Sequence, residues 1–527
     1  MFNGTLKPYQ VEAVEKMADK QKMLVAYEMG LGKTPMTIAA VESIVQTSPY
    51  NTYNTTVLIL CLASLKYQWK AEIEKFSDST AIVIDGTPKQ RTSLYETYSE
   101  YDYIIMNYEQ VVNDWETLRH MDFVAIVCDE ATAIKGFRAK RAKKVKELAK
   151  KIPVRFALTG TPIENGRPEE IFSIMQFVDP AILGRFDLFD KTFIVRNHFG
   201  GVQRYRNLPT LYKTLAESTV RKSQKDPDVA PYLPDAVHRP PLLVPLDRAG
   251  KVLYNYIAND LRELLVEVSQ LFGSGFSIEQ HYGQGGSFDD PANEYRGQIM
   301  SRITALRMLC SNPSLLVSSA EEFSKQSGKG SAYINGLASE GLLDNLSKTP
   351  KLDATIAYLS DHLNIDETYK AVIFSSYLGS VDQIVECLAA KNFKAVAYTG
   401  RMNAKEKEEA KVSFQTTPEI RVLVSSDAGG YGVDLPQANL LVNYDQPWSA
   451  GLSVQRNGRI NRTSSTWSTI TIQDILIYGS IEQRQYDTLN QKKHVAGAVL
   501  DGKGINSKGG VDLTVGSLIE FLTSRIT

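Results

Sequence analysis

The sequence is poor in the residues that build metal sites and disulfide frameworks. It has four cysteines with no CxxC pair, and six histidines with no HExxH arrangement. Paired cysteines and histidines at such spacings are typical of zinc ligands, and dense cysteines are typical of disulfide-linked secreted domains. We therefore predict neither a zinc site nor a disulfide framework, and we expect free, buried thiols in a reducing compartment.

Long apolar segments and an excess of one charge are also missing. No run reaches the roughly 18 apolar residues that span a bilayer, and residues 1–10 contain no apolar signal core. We expect a cytoplasmic protein with no membrane partner, either nucleoid-associated or in the cytoplasm of a host cell. Lys and Arg number 59 against 60 Asp and Glu, for a net charge of −1. A nucleic-acid partner would therefore be held by local basic patches.

Short apolar runs alternate with helix-like segments in two parts of the chain. The runs are residues 57–62, 103–106, 123–128 and 156–159, and then 371–374, 395–398, 422–425 and 440–443. Strands that alternate with helices are typical of a parallel sheet covered on both faces. The pattern predicts an α/β fold with two parallel-sheet lobes.

The 527 residues exceed what one core accommodates, so several domains are expected. Residues 176–345 read as helical, and their glycines lie between helical stretches, which favours flexible loops over a phosphate cradle. The predicted divisions are an N-terminal α/β lobe (1–175), helical insertions and a linker (176–345), a C-terminal α/β lobe (346–490) and a helical tail (491–527).

The segment EMGLGKT, residues 28–34, has the composition of a phosphate-binding loop. Glycines let the backbone approach a phosphate closely, and the helix predicted at 36–45 would offer free N–H groups and a favourable dipole. Lys33 would reach the β- and γ-phosphates and Thr34 would hold Mg²⁺. The loop residues assigned to the nucleotide are Met29, Gly30, Leu31, Gly32, Lys33 and Thr34.

Two further clusters suit the chemistry of phosphoryl transfer. Asp129 and Glu130 follow the apolar run 123–128, at the carboxyl end of a predicted parallel strand, where open sheets bind ligands. We expect Asp129 to hold Mg²⁺ and Glu130 to orient or deprotonate the attacking water. Arg459 and Arg462, in QRNGRINR, are three residues apart and are predicted to share a helix face, where a guanidinium can neutralise a transferring phosphoryl group.

In this order the segments resemble the motifs of superfamily 2 helicases, and most closely those of Swi/Snf-like DNA-dependent ATPases. The most family-specific stretch is LTGTPIEN at residues 158–165. The resemblance implies two RecA-like lobes that bind ATP and Mg²⁺ in the cleft between them. It also implies that Gln10 contacts adenine, that Asp434 contacts the ribose, and that Gln455 acts in catalysis beside both arginines.

The chain departs from the family pattern at several positions, which indicates a divergent member of bacterial or viral origin. Tyr27 replaces the usual first Gly or Ala of the phosphate loop, and Pro35 removes one N–H from the following helix. Thr132 stands where a histidine is common, and Leu62 replaces a proline.

A nucleic-acid partner is indicated by residues 135–151, which contain nine Lys or Arg and one acidic residue. Such a stretch can neutralise several phosphates without reading sequence, although an ordinary solvated helix has the same composition. The resemblance implies contacts of the two lobes with backbone phosphates. The residues assigned to nucleic acid are Ser64, Asn107, Lys135, Ser375, Ser426 and Gly430.

Three functions compete at this point. The leading hypothesis is an ATPase that moves along double-stranded DNA without strong sequence specificity and without separating the strands. A strand-separating DNA or RNA helicase is the first alternative, although no wedge element is recognisable. The second alternative is a slow, ATP-controlled DNA-binding switch. A protein partner that stimulates or targets the enzyme is compatible with each.

Overall fold

The computed structural model describes residues 1–47, 55–196, 202–278, 291–346, 349–427, 433–502 and 514–525. Two parallel sheets dominate these ranges, as the alternating pattern predicted. Among the described residues, none of the helices combines the length and apolar character needed to cross a membrane.

The first lobe is built on a sheet whose described strands all run parallel, in the order β3-β4-β2-β5-β6-β1-β9. In chain order its strands, with the separate β7–β8 hairpin, are β1 (Lys22–Tyr27), β2 (Val57–Cys61), β3 (Ala81–Val83), β4 (Tyr103–Asn107), β5 (Ala125–Asp129), β6 (Val154–Leu158), β7 (Ile194–Arg196), β8 (Val202–Tyr205) and β9 (Thr219–Lys222). Apolar clusters cover both faces, which is why the central strands are apolar at almost every position.

The second lobe has a parallel sheet in the order β10-β16-β15-β12-β14-β13, with β11 also paired to β16. Its strands are β10 (Asp235–His238), β11 (Leu242–Val244), β12 (Ala371–Ser375), β13 (Lys394–Tyr398), β14 (Ile420–Ser426), β15 (Leu440–Asn443) and β16 (Thr469–Ile477). The apolar runs predicted in both lobes coincide with strands, so the α/β fold with two sheets is confirmed.

Helices connect the strands and cover the sheets. They are α1 (Pro8–Lys20), α2 (Lys33–Thr47), α3 (Lys66–Phe76), α4 (Pro88–Glu96), α5 (Tyr108–Asn113), α6 (Trp115–Leu118), α7 (Lys140–Ala149), α8 (Glu169–Val178), α9 (Pro180–Leu183), α10 (Phe186–Phe193), α11 (Leu208–Ala216), α12 (Arg248–Phe272), α13 (Pro291–Ser311), α14 (Ser314–Ser324), α15 (Ala332–Ser339), α16 (Pro350–Leu363), α17 (Leu378–Ala390), α18 (Ala404–Thr416), α19 (Ala450–Asn457), α20 (Ile481–Leu500) and α21 (Val515–Arg525). Short 3-10 helices occur at Ala63–Leu65, Tyr98–Glu100, Ala131–Ile134 and Ala230–Tyr232.

The region 176–345 is not wholly helical, contrary to its sequence pattern. It contains β7 to β11, which are three or four residues long and therefore too short to produce a clear alternation. β9 completes the first sheet, whereas β10 and β11 belong to the second. The glycines at 283, 285 and 286, predicted to lie in a loop, are outside the described residues.

Helix α20 connects the two lobes. Near its start, Glu482 forms a buried ion pair with Lys351 of α16, with 2.7 Å between Nζ and Oε1. Near its end, Ala498 and Val499 pack in a core cluster of the first lobe. The helix crosses the predicted boundary between 490 and 491 without interruption. The first part of the predicted helical tail, up to Leu500, therefore belongs to a helix that contacts both lobes.

Candidate active site

The phosphate-loop segment lies between β1 and α2. Gly30 and Gly32 have φ angles of 78° and 79°, in the left-handed region that glycine adopts without strain. A Cβ atom on Gly32 would lie 2.3 Å from Nε2 of Gln10. Pro35 falls in the first turn of α2, where its missing N–H leaves no helical hydrogen bond unmade.

Gln10, predicted to contact adenine, packs directly against this loop. Its Nε2 donates to the carbonyl oxygen of Leu31 at 3.0 Å, and its Oε1 accepts from the backbone N–H of Lys7 at 2.8 Å. Both contacts fix the amide, because the two ends of the group are held by different parts of the chain. Gln10 thus connects α1 to the phosphate loop.

Lys33 is the first residue of α2, and Thr34 follows it half-buried. The Nζ of Lys33 donates to the carbonyl oxygens of Tyr27 at 2.9 Å and Glu28 at 3.3 Å. Burial lowers the pKa of Lys33, whereas the nearby carboxylates of Glu130 and Asp129 act in the opposite direction. The ammonium group therefore donates to the backbone before the loop and is also influenced by the charges of the acidic pair.

Asp129 ends β5, and three donors hold it. Trp69 Nε1 donates to its Oδ2 at 2.8 Å, and the backbone N–H of Glu130 donates to its Oδ1 at 2.9 Å. The hydroxyl of Tyr108 donates to the carbonyl oxygen of Asp129 at 2.7 Å. Burial raises the pKa of Asp129, while the bond from Trp69 and the charge of Lys33 oppose that rise. Our sequence reasoning missed the roles of Trp69 and Tyr108.

Glu130 has an unusual backbone and an unusual acidity. Its φ is 50°, a left-handed conformation that is uncommon outside glycine and turns the side chain away from the strand direction. Burial, followed by the neighbouring charge of Asp129, raises the pKa of Glu130 to about 7. A carboxylate with that pKa can accept a proton near neutral pH.

The arginine segment comes from the second lobe. The prediction that Arg459 and Arg462 share a helix face is wrong, because α19 ends at Asn457 and the arginines follow it, Arg459 in a turn and Arg462 in a bend. Gly458 ends the helix where the chain passes the phosphate loop: a Cβ atom there would lie 2.7 Å from Cβ of Met29. Only glycine permits that approach without displacement.

Each side chain of the arginine segment has a different environment. Arg462 pairs with Asp434 at 2.7 Å between Nη2 and Oδ1, and its buried Nε has no hydrogen-bond partner among the described residues. Arg459 is buried and its Nη1 donates to the carbonyl oxygen of Val433 at 3.5 Å. Gln455 is also buried, and within the described ranges its Oε1 lacks a partner.

Arg456 is a further member of this segment that sequence reasoning did not single out. Its side chain is 1% exposed, and it donates to Oδ1 of Asp427 at 2.7 Å, to the carbonyl oxygen of Asp445 at 2.6 Å and to Oγ of Ser376 at 3.2 Å. These contacts tie three loops of the second lobe together. Arg456 thus fixes the arginine segment to the body of the second lobe.

The phosphate loop and the arginine segment touch across the lobes. A Cβ atom on Gly30 would lie 2.9 Å from Cγ of Arg462, and the Thr463 hydroxyl donates to the Gly30 carbonyl oxygen at 3.3 Å. An adjoining cleft of about 1220 Å³ is lined by both lobes. Its walls include the acidic and amide side chains of Glu130, Glu164, Asp434 and Gln455.

The LTGTPIEN stretch makes a second contact between the lobes. The backbone N–H of Gly451, at the start of α19, donates to the Glu164 carbonyl oxygen at 3.1 Å. The Glu164 carboxylate accepts hydrogen bonds from Lys135 and Thr132. Thr132, which replaces the common histidine, therefore still connects the Asp129–Glu130 segment to this stretch.

The residues assigned to nucleic acid fall into different settings. Ser64 is exposed beside the cleft, and Asn107 caps α5, accepting from the backbone N–H of Gln110 at 3.0 Å. Lys135 is paired with Glu164 and Glu170; burial lowers its pKa, but these carboxylates outweigh that and raise it.

Two of the assigned serines lie inside the second lobe. Ser375 is fully buried and donates to Oδ2 of Asp445 at 2.6 Å, and Ser426 is 4% exposed. Neither presents more than a few per cent of its surface to solvent in this conformation. Gly430 lies outside the described residues.

The basic stretch 135–151 is only partly a helix, since α7 covers Lys140–Ala149. Lys146 is engaged within the lobe, where its Nζ donates to Gln176 at 2.8 Å and to Ser173 at 3.3 Å. Other basic residues of the stretch are exposed to solvent, namely Arg138, Lys140, Lys143, Lys150 and Lys151. The exposed positive charge is therefore smaller than the composition indicated.

Comparison with known proteins agrees with this arrangement. Residues 9–315 match the family model described as SNF2-related domain, and residues 353–464 match the helicase conserved C-terminal domain. The chain is 24% identical over 94% of its length to 55% of the DNA repair and recombination protein RAD54B of Gallus gallus. It is also 24% identical, over 96% of its length, to 30% of the ATP-dependent helicase brm of Drosophila melanogaster.

The chain thus spans about half or less of these curated relatives. Among solved structures, the helicase domain of Pyrococcus furiosus Hef has a similar fold, with a TM-score of 0.52 and 18% identity over 92% of this chain and 98% of that one. The first family model alone covers more than half of the sequence. The chain therefore belongs to the SNF2-related family.

Proposed function

We propose that this chain is an ATP hydrolase that uses each turnover to move along double-stranded DNA without separating the strands. The observation that carries the proposal is the contact between the phosphate loop and the arginine segment across the two lobes. A nucleotide held there would be touched by both lobes, so that its binding and hydrolysis would change the orientation of one lobe relative to the other.

The residues around the loop fit ATP and Mg²⁺. Left-handed glycines followed by a helix N-terminus suit a polyphosphate, and Lys33 supplies a matching charge. Thr34 and Asp129 offer hard oxygen ligands for Mg²⁺, which when bound would neutralise charge on the phosphate oxygens. Gln10 would contact the adenine, and Asp434 the ribose.

The remaining groups would act on the reaction itself. Glu130 would hold the attacking water and take its proton, and its position beside Asp129 places it at the end of β5. Arg462 would turn from Asp434 towards the transferring phosphoryl group, for which its buried Nε, without a partner among the described residues, is suited. Arg459 and Gln455 would complete this side of the site.

Duplex DNA is proposed as the track because of family membership and of the names of the relatives, one of which is a DNA repair and recombination protein. Contacts to backbone phosphates would give binding without sequence specificity. Ser64, Asn107 and the exposed lysines of the 135–151 stretch are the proposed contacts in the first lobe.

The test is the steady-state ATPase rate without nucleic acid and with single-stranded DNA, double-stranded DNA or RNA, at low and moderate salt. The Lys33→Ala variant measures contaminating activity. Strong stimulation by duplex DNA, weakened by salt, supports the proposal. Preference for single strands or RNA would replace it with a strand-separating helicase. Slow hydrolysis under every condition would replace it with an ATP-controlled binding switch.

A further inference from the structure

Gln224 lies two residues beyond β9, at the point where the chain leaves the first sheet. β9 is hydrogen-bonded to β1, so the residues that follow it run beside the phosphate loop that follows β1. The backbone N–H of Gln224 donates to Oε2 of Glu28 at 2.9 Å. This backbone hydrogen bond holds Gln224 next to the loop independently of the contacts that its side chain makes.

The amide of Gln224 joins the two lobes. Its Nε2 donates to the carbonyl oxygens of Met29 at 2.9 Å and Asn461 at 3.0 Å. Its Oε1 accepts from Nδ2 of Asn461 at 2.8 Å. Met29 belongs to the phosphate loop, and Asn461 directly precedes Arg462 in the second lobe. One neutral side chain thus fixes both partners of the interlobe contact.

The chemistry of the site favours an amide. The carbonyl oxygens of Met29 and Asn461 require two donors, and the Asn461 side-chain amide requires an acceptor. A primary amide has both the two N–H donors and the acceptor oxygen. A lysine would supply only donors and a carboxylate only acceptors. Asn461 is 7% exposed, so an unmatched polar group there would not be compensated fully by water.

The segment that carries Gln224 is itself held firmly. Arg221 donates to Oε1 of Glu28 at 2.9 Å and to Oδ1 of Asp501 at 3.0 Å, just beyond the end of α20. Glu28 therefore accepts from Arg221 through one oxygen and from the Gln224 backbone through the other. The position of the Gln224 amide is fixed by the first lobe and by the end of the bridging helix.

We infer that Gln224 is a positioning residue that sets the place of Arg462 relative to the phosphate loop. The inference rests on the proposed ATP hydrolysis. It acts through Asn461, which Gln224 holds by one hydrogen bond to the backbone carbonyl oxygen and one from the side-chain amide, and Arg462 is the next residue. Misplacement of a reacting group by about 1 Å can cost roughly a hundredfold in rate. Loss of the amide should therefore lower kcat and change ATP affinity much less.

The experiment compares Gln224→Ala and the similarly sized Gln224→Met with wild type, each alone and combined with Arg462→Ala. The readouts are kcat and KM for ATP with duplex DNA, and the Kd of a fluorescent ATP analogue. Lys225→Ala, at the exposed neighbouring position, is the matched control. Thermal melting verifies that each variant is folded.

We expect either Gln224 variant to lower kcat by about tenfold to a hundredfold in the wild-type background. In the Arg462→Ala background the same substitution should have little further effect, because residues that act as a unit are not additive. A merely structural role would lower kcat equally in both backgrounds, and that result would overturn the inference. A raised Kd with unchanged kcat would overturn it as well.

The outcomes separate this inference from the proposed function. If wild type hydrolyses ATP and Lys33→Ala does not, additive effects of Gln224 and Arg462 reject the positioning role alone. If wild type is as inactive as Lys33→Ala on every nucleic acid, the proposed hydrolysis fails, and the positioning role fails with it.

Discussion

Replacing Trp69 with phenylalanine removes the indole N–H that donates to Asp129 and keeps an aromatic ring in the core. Trp69 is 2% exposed and packs in an apolar cluster of the first lobe, so the smaller ring remains buried. Asp129 would keep its bond from the Glu130 backbone, but its Oδ2 would lose the donor at 2.8 Å. A proposed magnesium ligand would thereby lose one of the groups that orient it.

The size of the effect follows from two independent magnitudes. A hydrogen bond to a charged group is worth about 1.5–3 kcal/mol, which corresponds to roughly 10- to 150-fold in an equilibrium constant. Removing a group that orients a metal ligand typically costs about 10- to 100-fold in metal affinity. We therefore expect Trp69→Phe to raise the free Mg²⁺ needed for half-maximal ATPase activity by about 10- to 100-fold.

The assay is a titration of ATPase rate against free Mg²⁺ at saturating ATP, corrected for the metal that ATP binds. Trp115→Phe is the matched control, because that indole contacts the Lys144 ammonium, 3.9 Å from its ring centre. Urea unfolding of both variants separates a loss of packing from a loss of metal affinity. A folded Trp69→Phe with the half-saturation of wild type would refute the reasoning.

Further changes test other parts of the molecule. Lys33→Ala should abolish ATP turnover while its circular dichroism stays that of wild type, and normal hydrolysis would rule out the phosphate-site assignment. Arg462→Ala should retain nucleotide binding but lose about 10³–10⁵ in kcat; a large loss of affinity at unchanged kcat would assign it another role. Lys351→Met should lower the free energy of unfolding by about 3–5 kcal/mol, because it strands the buried charge of Glu482, and adding Glu482→Leu should restore most of it in urea titrations. Burial lowers the pKa of Lys146 to about 8, below its usual 10.5. The folded state then releases this proton first, so wild type should gain stability relative to Lys146→Met as pH rises from 8 to 10.5; parallel pH profiles would contradict this.

The strands that were predicted correctly are those with a clear pattern of apolar residues in their own sequence. Runs such as residues 57–62 marked their strands, because a strand buried on both faces is apolar at every position. The strand Thr219–Lys222 escaped notice, since four residues, of which two are basic, give no clear alternation. Its place beside β1 is set by tertiary pairing, which no window of sequence contains.

The same distinction applies to the candidate site. The loop glycines, Lys33 and the acidic pair can be proposed from the sequence because their chemistry requires neighbours in sequence. Trp69 lies 60 residues from Asp129, and Gln224 lies 237 residues from Asn461, so neither contact leaves a local pattern. The helix predicted to carry Arg459 ends at Asn457, and the close contact of Gly458 with Met29 of the other lobe is one that helical spacing does not encode.

Helix α20 limits how the two lobes can move. Its 20 residues form a rod of about 30 Å, and a helix of that length does not stretch under thermal forces. It is rooted in the second lobe by the Lys351–Glu482 pair and in the first by Ala498 and Val499. The lobes can swing or twist about such a strut but cannot draw apart along it. Under the proposed function, the motion that hydrolysis drives would then be a rotation of one lobe about this helix and not an extension along it.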